Sequence, residues 1–351
     1  MPIEFLDSLA RQGFEQVTAL HDRASGLRAF VAVHDTSAGP AFGGIRFWTY
    51  PREDDALRDC LRLARAMTAK CVLAGLPAGG AKIVVLDRPD LDRPAAFRYL
   101  GQAIERLGGL VYTGPDVGTG SEELAWVASQ TRFVTPPGPE GPGLLAESTC
   151  AGVLSGMAAA LRHLDGEEAW SQRTVVVQGL GEVGSRVAAE LVQRGARVLA
   201  AELDNERAER VCEALGVERL DPSRHLAPPC DVFAPCALGG ILHDLSVVRL
   251  RCRVVAGAAN NVLASPVHGR ALHERGILYV PDFLINSGAL IRGARFHLDG
   301  VREDVQHIGA RIGSAVGEVL ELAAERSAPP VEVALREAES RLEQRRARVR
   351  T

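Results

Sequence analysis

The sequence predicts an α/β protein of two domains, and three observations lead to this prediction. Short apolar segments such as TVVVQ (174–178) and RVLAAE (197–202) alternate with helical segments through the second half of the chain. They lack polar alternation, which is typical of parallel strands covered on both faces. The Pro- and Gly-rich segment 133–143 would break any helix or strand and is the best linker candidate. The 351 residues are enough for two domains.

The elements can be predicted in order from the same patterns. In the first half, apolar runs predict strands at 26–34, 82–86 and 110–113, and apolar residues at three-to-four spacing predict a helix at 53–70. Past the linker, a helix is expected at 148–164, with Ser148 or Thr149 as a possible cap. The remaining expected elements are strands at 231–236, 253–259 and 277–283, helices at about 182–194 and 205–215, and helical segments from about 302 and over 331–350.

Composition limits the classes of function. The chain is 46% apolar and 24% charged, with a net charge of −4, so neither disorder nor binding to nucleic acid or an anionic membrane is expected. Neither a signal peptide nor a membrane span is predicted. The seven cysteines are scattered without a C-x-x-C pair or a histidine cluster at zinc spacing. We therefore expect a cytoplasmic protein with buried free thiols and no metal site.

The segment 174–202 predicts a dinucleotide site, because it reads as strand, G-x-G-x-x-G, helix, strand and terminal acid. Gly179 would allow a tight turn, Gly181 a close approach of pyrophosphate to the backbone, and Gly184 close packing of helix on strand. Glu202 would bind both ribose hydroxyls and repel a 2′-phosphate, which favours NAD over NADP; Asp204 is the alternative for this role. The predicted cofactor-binding turn consists of Gly179, Leu180, Gly181, Glu182, Val183 and Gly184.

Three charged residues of the first half are candidates for the chemistry. Lys82 follows a glycine-rich turn and leads into an apolar strand, and burial lowers the pKa of a lysine toward that of a general base. Lys70 closes a helix, where a lysine also interacts favourably with the helix dipole. Asp116 lies in a Gly-Pro-Asp sequence, where an aspartate is often only a turn former. The residues alone thus predict a nicotinamide dehydrogenase with a lysine base and leave the substrate open.

The chain also resembles the Glu/Leu/Phe/Val dehydrogenase family, and most closely its leucine and phenylalanine dehydrogenases. The matching stretches are GPAFGGIRFWTY (39–50), CLRLARAMTAK (60–70), GLPAGGAK (75–82), TGPDVGT (113–119), VQGLGEVG (177–184), CDVFAPCALGG (230–240), VAGAANN (255–261) and YVPDFLINSGA (279–289). The resemblance implies a substrate and oligomerisation domain at 1–135, with the helix 331–351 packing back on it. It also implies an NAD-binding Rossmann domain at 136–330, a cleft between the domains and a homo-oligomer.

The resemblance implies a reaction and a role for each motif residue. L-amino acid, NAD⁺ and water would give 2-oxo acid, NADH and ammonium, reversibly. Lys82 would deprotonate the water that attacks the iminium, and Asp116 would exchange a proton with the substrate nitrogen. Lys70 would bind the α-carboxylate, and as a neighbouring cation it would ease the loss of the Lys82 proton. The other implied site residues are Gly43 and Gly44 beside the carboxylate, Asn286 for orientation, and Thr149, Ala237 and Asn260 around the cofactor.

Phe42 and Ala81 depart from the family pattern, and Phe42 bears on the substrate. Phe42 stands where leucine dehydrogenases have leucine, and a bulkier wall favours leucine, valine or isoleucine. Gly114, by contrast, resembles the phenylalanine branch and leaves space, so an aromatic amino acid is the alternative. Ala81 replaces a family glycine, which would matter if that position required a positive φ.

A catalytically inactive, dehydrogenase-like binding protein is the alternative of another class, although such a protein would be expected to lack Lys82 or Asp116.

Overall fold

The computed structural model describes residues 5–136, 141–237 and 239–350, with the side chains of 349 and 350 left aside. Part of the predicted linker, residues 137–140, lies outside the described residues. The chain divides into two compact units. Unit 1 comprises Met1–Gly143, Gly293–Arg302 and Ala338–Thr351, and unit 2 comprises Leu144–Arg292 and Glu303–Glu337.

Unit 1 is built on a mixed sheet with helices on both faces. Its elements are α1 (Phe5–Gln12), β1 (Gln16–His21), β2 (Arg28–Val33), β3 (Ala41–Trp48), α2 (Glu53–Leu73), β4 (Gly79–Leu86), α3 (Arg93–Arg106), β5 (Val111–Pro115) and α4 (Ser121–Ala128). The strand order among the described residues is β1-β2-β4-β3-β5. Strands β3, β4 and β5 are parallel, whereas β1 and β2 are antiparallel to their neighbours.

The two faces of strand β4 bury different side chains. Ala81, Ile83 and Val85 pack into the larger apolar core with residues of α3 and α4. Val84 and Leu86 face the other way and pack against Ala56, Cys60 and Ala64 of α2. Because successive strand residues alternate between faces, Lys82 lies on the face that α2 covers.

Sequence analysis did not predict strand β3, although it carries Phe42, Gly43 and Gly44. The strand is central, because it pairs in parallel with β4 on one side and with β5 on the other. Its register places Ala41 beside Gly79 and Ile45 beside Ile83, so Gly44 falls opposite Lys82. Phe42, Gly44 and Arg46 therefore share the sheet face of Lys82.

Unit 2 is a parallel α/β sheet. The elements that follow unit 1 along the chain are α5 (Leu145–Asp165), β6 (Thr174–Gln178), α6 (Glu182–Gln193), β7 (Arg197–Ala201), α7 (Asn205–Leu215), β8 (Glu218–Arg219), β9 (Cys230–Pro235), α8 (Asp244–Val247), β10 (Cys252–Val255), α9 (Val267–Glu274), β11 (Leu278–Tyr279), α10 (Asp282–Ile285), α11 (Gly288–Asp299), α12 (Val305–Glu325) and α13 (Pro330–Arg350). The strand order β8-β7-β6-β9-β10-β11 is the 3-2-1-4-5-6 order of Rossmann domains. The predicted α/β fold class is confirmed.

Three sequence predictions in unit 2 are wrong in detail. The strand expected at 253–259 ends at Val255. Helix α5 begins at Leu145 with Leu144 as its N-cap, so neither Ser148 nor Thr149 caps it. Thr149 instead donates a hydrogen bond from Oγ1 to the carbonyl oxygen of Leu145, one turn earlier, at 3.2 Å. The segment 277–283 forms only the two-residue strand β11, because Pro281 leads directly into α10.

Two helices have residues in both units. The last part of α11, from Gly293, and the last part of α13, from Ala338, are counted with unit 1. Near its end α13 is anchored by Arg346, whose Nε lies 2.9 Å from Oδ1 of the buried Asp35. The same guanidinium donates to the carbonyl oxygens of Gly13 and His34. Among the described residues, the helices are too short or too polar to cross a membrane.

Candidate active site

Lys82 and Asp116 form an ion pair within unit 1. The Nζ atom of Lys82 lies 2.9 Å from Oδ2 of Asp116, and the side chains are 4% and 14% exposed. Lys82 comes from the middle of β4, and Asp116 follows the end of β5. The Asp116 turn is fixed by Thr119, whose Oγ1 accepts from the main-chain N–H of Asp116 at 3.0 Å and donates to the carbonyl of Ile45 at 2.7 Å. The sheet thus brings together two residues that sequence analysis proposed separately.

Burial changes the proton affinity of the lysine. Desolvation lowers the pKa of Lys82 below its ordinary value, and the Arg46 guanidinium acts in the same direction, against the opposing effect of Asp116. For Asp116, burial alone would raise the pKa, but the charges of Lys82 and Arg46 hold the pKa of its carboxyl below the ordinary value. The result is an ionised carboxylate beside a lysine that gives up its proton more readily than a surface lysine.

Arg46, which was not predicted from the sequence, is a close neighbour of this pair. Its Nε lies 2.9 Å from Oδ2 of Asp116, and its Nη1 lies 2.9 Å from Oδ2 of Asp59 on α2. An available signal was the arginine inside the apolar stretch AFGGIRFW (41–48), since a cation in a buried strand needs carboxylate partners. Arg46 is thus a neighbouring cation that lowers the pKa of Lys82, in addition to the effect of Lys70 that the family resemblance implies.

Close contacts explain the glycine pair of β3. A Cβ atom on Gly43 would lie 1.8 Å from the carbonyl oxygen of Ala81. A Cβ atom on Gly44 would lie 2.7 Å from the carbonyl oxygen of Pro115 and 2.9 Å from Cβ of Asp116. Gly44 therefore lets the Asp116 turn approach the strand opposite Lys82.

Ala81 is compatible with this site. It lies inside β4, fully buried in the larger core, and it is not among the residues with positive φ. The strand geometry needs no glycine at this position, so the methyl group is accommodated by the core of unit 1.

Phe42 is held in an aromatic cluster on the Lys82 face of the sheet. Its ring stacks on Tyr112 of β5, with centroids 5.1 Å apart and planes 10° apart. His297 packs against both rings, and its Nε2 lies 3.3 Å from Oγ1 of Thr135. Burial lowers the pKa of His297 to about 4, so this ring is neutral near pH 7. Gly114 borders the cluster, because a Cβ atom there would lie 3.2 Å from Oγ1 of Thr135.

Lys70 lies in the last turn of α2, where its side chain is half-buried. Its carbonyl oxygen accepts the N–H of Ala74, the residue that ends the helix, at 3.0 Å. Lys70 shares this helix with Cys60 and Thr68, and both of these pack against β4: Cys60 donates its thiol to the carbonyl of Lys82 at 3.3 Å, and a Cβ atom on Gly80 would lie 2.1 Å from N of Thr68. Helix α2 is therefore pressed closely onto the strand that carries Lys82.

The glycine-rich turn of unit 2 has the geometry of a phosphate-binding turn. Gly179 has a φ of +95°, and a Cβ atom there would lie 2.6 Å from Cβ of Ala237. A Cβ atom on Gly184 would lie 2.0 Å from the carbonyl oxygen of Gly179, so α6 packs tightly on the turn. A Cβ atom on Gly181, the N-cap of α6, would have no neighbour within 4 Å. Leu180, Glu182 and Val183 complete the turn, and its N–H groups at the helix N-terminus suit a pyrophosphate.

Glu202 and Asp204 have different local roles. Glu202 follows β7, and its carboxylate accepts the N–H of Leu180 at 2.8 Å through Oε2 and the N–H of Asp204 at 3.1 Å through Oε1. Asp204 caps α7 by accepting the N–H of Arg207 at 3.0 Å. The Arg207 guanidinium lies 3.6 Å from Glu202 and 3.3 Å from Asp204. Because the two carboxylates share one guanidinium, the net charge at this end of the turn is negative.

Asn286 and Asn260 are also brought together in unit 2. Nδ2 of Asn286 donates to Oδ1 of Asn260 at 2.8 Å and to the carbonyl of Ala258 at 3.1 Å. Asn286 is buried at the end of α10. Thr149, on α5, is nearly buried and bonded to its own helix. The segment after β10 and the turn after α10 thus hold each other in place.

A Rossmann-type unit together with a buried lysine–aspartate pair is the combination that a dehydrogenase needs. The family model described as "Glu/Leu/Phe/Val dehydrogenase, dimerisation domain" matches residues 14–133. The model described as "Glutamate/Leucine/Phenylalanine/Valine dehydrogenase" matches residues 143–206 and 201–294. The chain belongs to the Glu/Leu/Phe/Val dehydrogenase family, which confirms the resemblance found in the sequence.

Individual relatives agree with this assignment. The chain is 38% identical over 347 residues to the leucine dehydrogenase of Thermoactinomyces intermedius, covering 98% of this chain and 95% of the relative. It is 39% identical over 306 residues to the phenylalanine dehydrogenase of the same organism, covering 86% and 83%. Among solved structures, the L-tryptophan dehydrogenase of Nostoc punctiforme matches with a TM-score of 0.84 and 32% identity, covering 98% of this chain and 100% of that one. The protein is thus an amino-acid dehydrogenase by family.

Proposed function

We propose that the protein catalyses the reversible, NAD-dependent oxidative deamination of an apolar L-amino acid. In the forward direction, amino acid, NAD⁺ and water give 2-oxo acid, NADH, ammonium and a proton. The observation that carries the proposal is the buried pair of Lys82 and Asp116, 2.9 Å apart, in a chain of this family. A dehydrogenase-like protein that had lost its chemistry would have no reason to keep an ammonium buried beside a carboxylate.

The proposed residue roles follow from proton affinities. Lys82, with its lowered pKa, takes a proton from the water that adds to the substrate carbon. Asp116 is ionised at rest beside it, and during turnover its carboxylate accepts a proton from the substrate nitrogen and returns it to the departing ammonia. Lys70 binds the α-carboxylate, with Gly43 and Gly44 of β3 giving it room. Because Lys82 and Asp116 interact directly, they titrate as a coupled pair.

The glycine-rich turn of unit 2 fits a dinucleotide. Gly181 leaves open space at the N-terminus of α6, and Gly179 adopts the positive φ that a tight turn requires. When bound, NAD⁺ supplies the hydride acceptor. We assign the ribose to Glu202 rather than Asp204, because Asp204 is used as the cap of α7. The net negative charge of this end disfavours a 2′-phosphate. Asn260, Asn286, Thr149 and Ala237 are the further proposed cofactor and orientation residues.

We propose branched-chain amino acids as the preferred substrates. Phe42 is fixed against Tyr112 on the Lys82 face of the sheet, and a rigid ring there shortens the space for a substrate side chain. The space beside Gly114 is bordered by Thr135, 3.2 Å from where a Cβ atom would lie. This limits the room that the glycine would otherwise provide for an aromatic ring.

An aromatic substrate is the second candidate, and a specific observation favours it. A Cβ atom on Gly293 would meet only Oγ1 of Thr135, at 3.9 Å. Gly114 and Gly293 thus both border Thr135, and neither contributes a side chain there. A phenylalanine dehydrogenase and an L-tryptophan dehydrogenase are among the proteins that this chain is similar to.

Assembly and compartment are part of the proposal. The family model that matches residues 14–133 is described as a dimerisation domain, which supports a homo-oligomer. The seven cysteines are free thiols, buried or half-buried, and their apolar surroundings suit the reducing cytoplasm.

The proposal is tested by following NADH formation at 340 nm across the twenty L-amino acids, with NAD⁺ and with NADP⁺, and by measuring ammonium release. We expect the highest kcat/KM for leucine, valine or isoleucine with NAD⁺, with one ammonium released for each NADH. Activity only with an aromatic amino acid would select the second candidate. An enzyme that binds NADH, yet reduces NAD⁺ with none of the twenty, would overturn the proposed function.

A further inference from the structure

Arg46 lies between two carboxylates of unit 1. Its side chain is 13% exposed, and it forms one contact of 2.9 Å through Nε to Asp116 and another of 2.9 Å through Nη1 to Asp59. A planar guanidinium can hold two carboxylates at once in fixed geometry, whereas an ammonium acts as a point charge. Arg46 therefore links the turn after β5 to helix α2.

The contacts of Asp116 are unequal at its two oxygens. Oδ2 is 2.9 Å from Nζ of Lys82 and also 2.9 Å from Nε of Arg46. Oδ1 is the farther of the two carboxylate oxygens from both cations. Two cations thus hold Oδ2 of Asp116 in place, and Oδ1 faces away from them as an acceptor.

Asp59, the second partner of Arg46, is itself held from two sides. Tyr50 donates its hydroxyl to Oδ2 at 2.7 Å, and Arg62 donates to Oδ1 at 2.6 Å. Burial alone would raise the pKa of Asp59, but these donors and Arg46 keep its pKa below the ordinary value. Asp59 is therefore a fixed negative charge that holds Arg46 in place.

We propose that Arg46 is a positioning residue, which orients Asp116 through Oδ2 so that Oδ1 faces the substrate nitrogen, and which gives Asp116 a permanent cationic partner when Lys82 loses its proton. This inference rests on the proposed roles of Lys82 and Asp116. Without Arg46, Lys82 would be the sole cation on Asp116 among the contacts described for it, and the pair would hold its proton more tightly. With Arg46, the carboxylate stays ionised and oriented in both protonation states of the lysine.

The sign of the expected change follows from the charges around Lys82. The titratable groups that act most on Lys82 are Asp116 after β5, Arg46 on β3 and Cys60 on α2, with Asp59 behind Arg46. Nζ of Lys82 and Nε of Arg46 share one oxygen and so lie at most about 6 Å apart, where a unit charge shifts a pKa by about one unit or more. Removing the Arg46 charge should therefore raise the pKa of Lys82.

The test is the pH profile of deamination for Arg46→Gln, with leucine or the best substrate found. We expect the midpoint of the rising limb to move up by about one pH unit, and kcat at the plateau to fall about 10–100-fold because Asp116 is misplaced. Arg46→Lys restores the charge, but an ammonium cannot hold both carboxylates in the geometry of a guanidinium. This variant should therefore return the midpoint toward wild type while kcat stays low. Because substrate is the same in all variants, its own amino group does not contribute to the shift between them.

Two further variants separate the possible outcomes. Asp59→Asn removes a negative charge but keeps a side-chain oxygen that can accept from Nη1 of Arg46, so Arg46 stays against Asp116 and the midpoint should move down instead of up. This variant also serves if Arg46→Gln does not fold. Arg28→Gln is the matched control. Arg28 of β2 pairs through an exposed contact with Glu53 of α2, the helix that also carries Asp59, so the midpoint of this variant should not move. A loss of activity in Arg46→Gln with an unshifted midpoint would mean a merely structural role and would overturn the inference. Near wild-type activity in Lys82→Ala would instead refute the proposed role of Lys82 as the base, whatever Arg46 does, and an enzyme that oxidises none of the twenty amino acids would refute the proposed function.

Discussion

The Nζ atom of Lys82 and the Oδ2 atom of Asp116 lie 2.9 Å apart, in a part of unit 1 where the lysine side chain is almost fully buried. In the sequence only the family resemblance places the two residues in one active site, because they come from two strands separated by helix α3. Strand β3, lying between β4 and β5, sets their separation, since Gly44 stands opposite Lys82 and directly beside Asp116.

The first prediction concerns the pH dependence of Lys82. Deamination needs the neutral amine, so its rate should rise with pH, and the midpoint should lie below the ordinary lysine value of 10.5 because burial lowers the pKa. Lys82→Ala should lose about 10²–10⁴-fold in turnover and should lose this limb. The measurement is kcat and kcat/KM between pH 6 and about 11. Retained NADH binding would show that the variant is folded, and an unchanged pH limb in Lys82→Ala would contradict the base assignment.

The second prediction concerns Gly44. A methyl group there would lie 2.7 Å from the carbonyl of Pro115 and 2.9 Å from Cβ of Asp116, so Gly44→Ala must displace the Asp116 turn. We expect a fall of about 10–100-fold in kcat, and a loss of about 1–3 kcal/mol in the free energy of unfolding. Gly317→Ala is the matched control, because a Cβ atom on Gly317 of α12 would have no neighbour within 4 Å. Urea unfolding and steady-state kinetics measure both effects. Full activity in a folded Gly44→Ala enzyme would show that the turn can shift without cost.

Much of unit 2 could be predicted from the sequence, because its signals are local. The apolar run 174–178 is β6 residue for residue, and the helix expected at 205–215 is α7. The G-x-G-x-x-G turn with its flanking strand and helix is likewise contained in one short segment. Such features depend on neighbours along the chain, which a single sequence displays.

Strand β3 and Arg46 could not be predicted in the same way, because they depend on contacts distant in sequence. The two glycines of Ala41–Trp48 weaken the strand pattern. Gly43 is nevertheless required, because a Cβ atom there would lie 1.8 Å from the carbonyl oxygen of Ala81. The role of Arg46 depends on its contacts with Asp59 and Asp116, which come close to it only in the folded sheet and helix α2. The predicted cap of α5 was wrong for a local reason, since the helix already begins at Leu145 and Thr149 bonds back to that residue.

The third prediction concerns the substrate wall. Phe42→Ala removes a ring that stacks on Tyr112, so the ratio of kcat/KM for phenylalanine to that for leucine should rise about tenfold or more. Truncating a buried phenylalanine costs about 3–5 kcal/mol of stability, so Phe42→Leu is the milder companion variant and should shift the ratio the same way. Tyr112→Phe keeps the stacked ring and should leave the ranking unchanged. An identical ranking of substrates in both Phe42 variants would remove this residue from the pocket wall.

The fourth prediction concerns cofactor choice. The Glu202 carboxylate is fixed by the N–H groups of Leu180 and Asp204, and its charge should repel the 2′-phosphate of NADP. Glu202→Gln removes that charge and leaves Arg207 less neutralised. The preference for NAD over NADP, measured as the ratio of kcat/KM values, should therefore fall about tenfold or more, since contacts to charged groups are worth roughly 1.5–3 kcal/mol.

The matched control for Glu202 is Asp204→Asn. Asparagine caps a helix about as well as aspartate, so α7 keeps its N-cap and the free energy of unfolding should change little. If Glu202 holds the ribose, Asp204→Asn should relax the preference much less than Glu202→Gln. The reverse order would assign the ribose to Asp204, because a free Asp204 carboxylate would then be the group that excludes the 2′-phosphate. Steady-state kinetics with both cofactors at fixed amino-acid concentration distinguish these two outcomes.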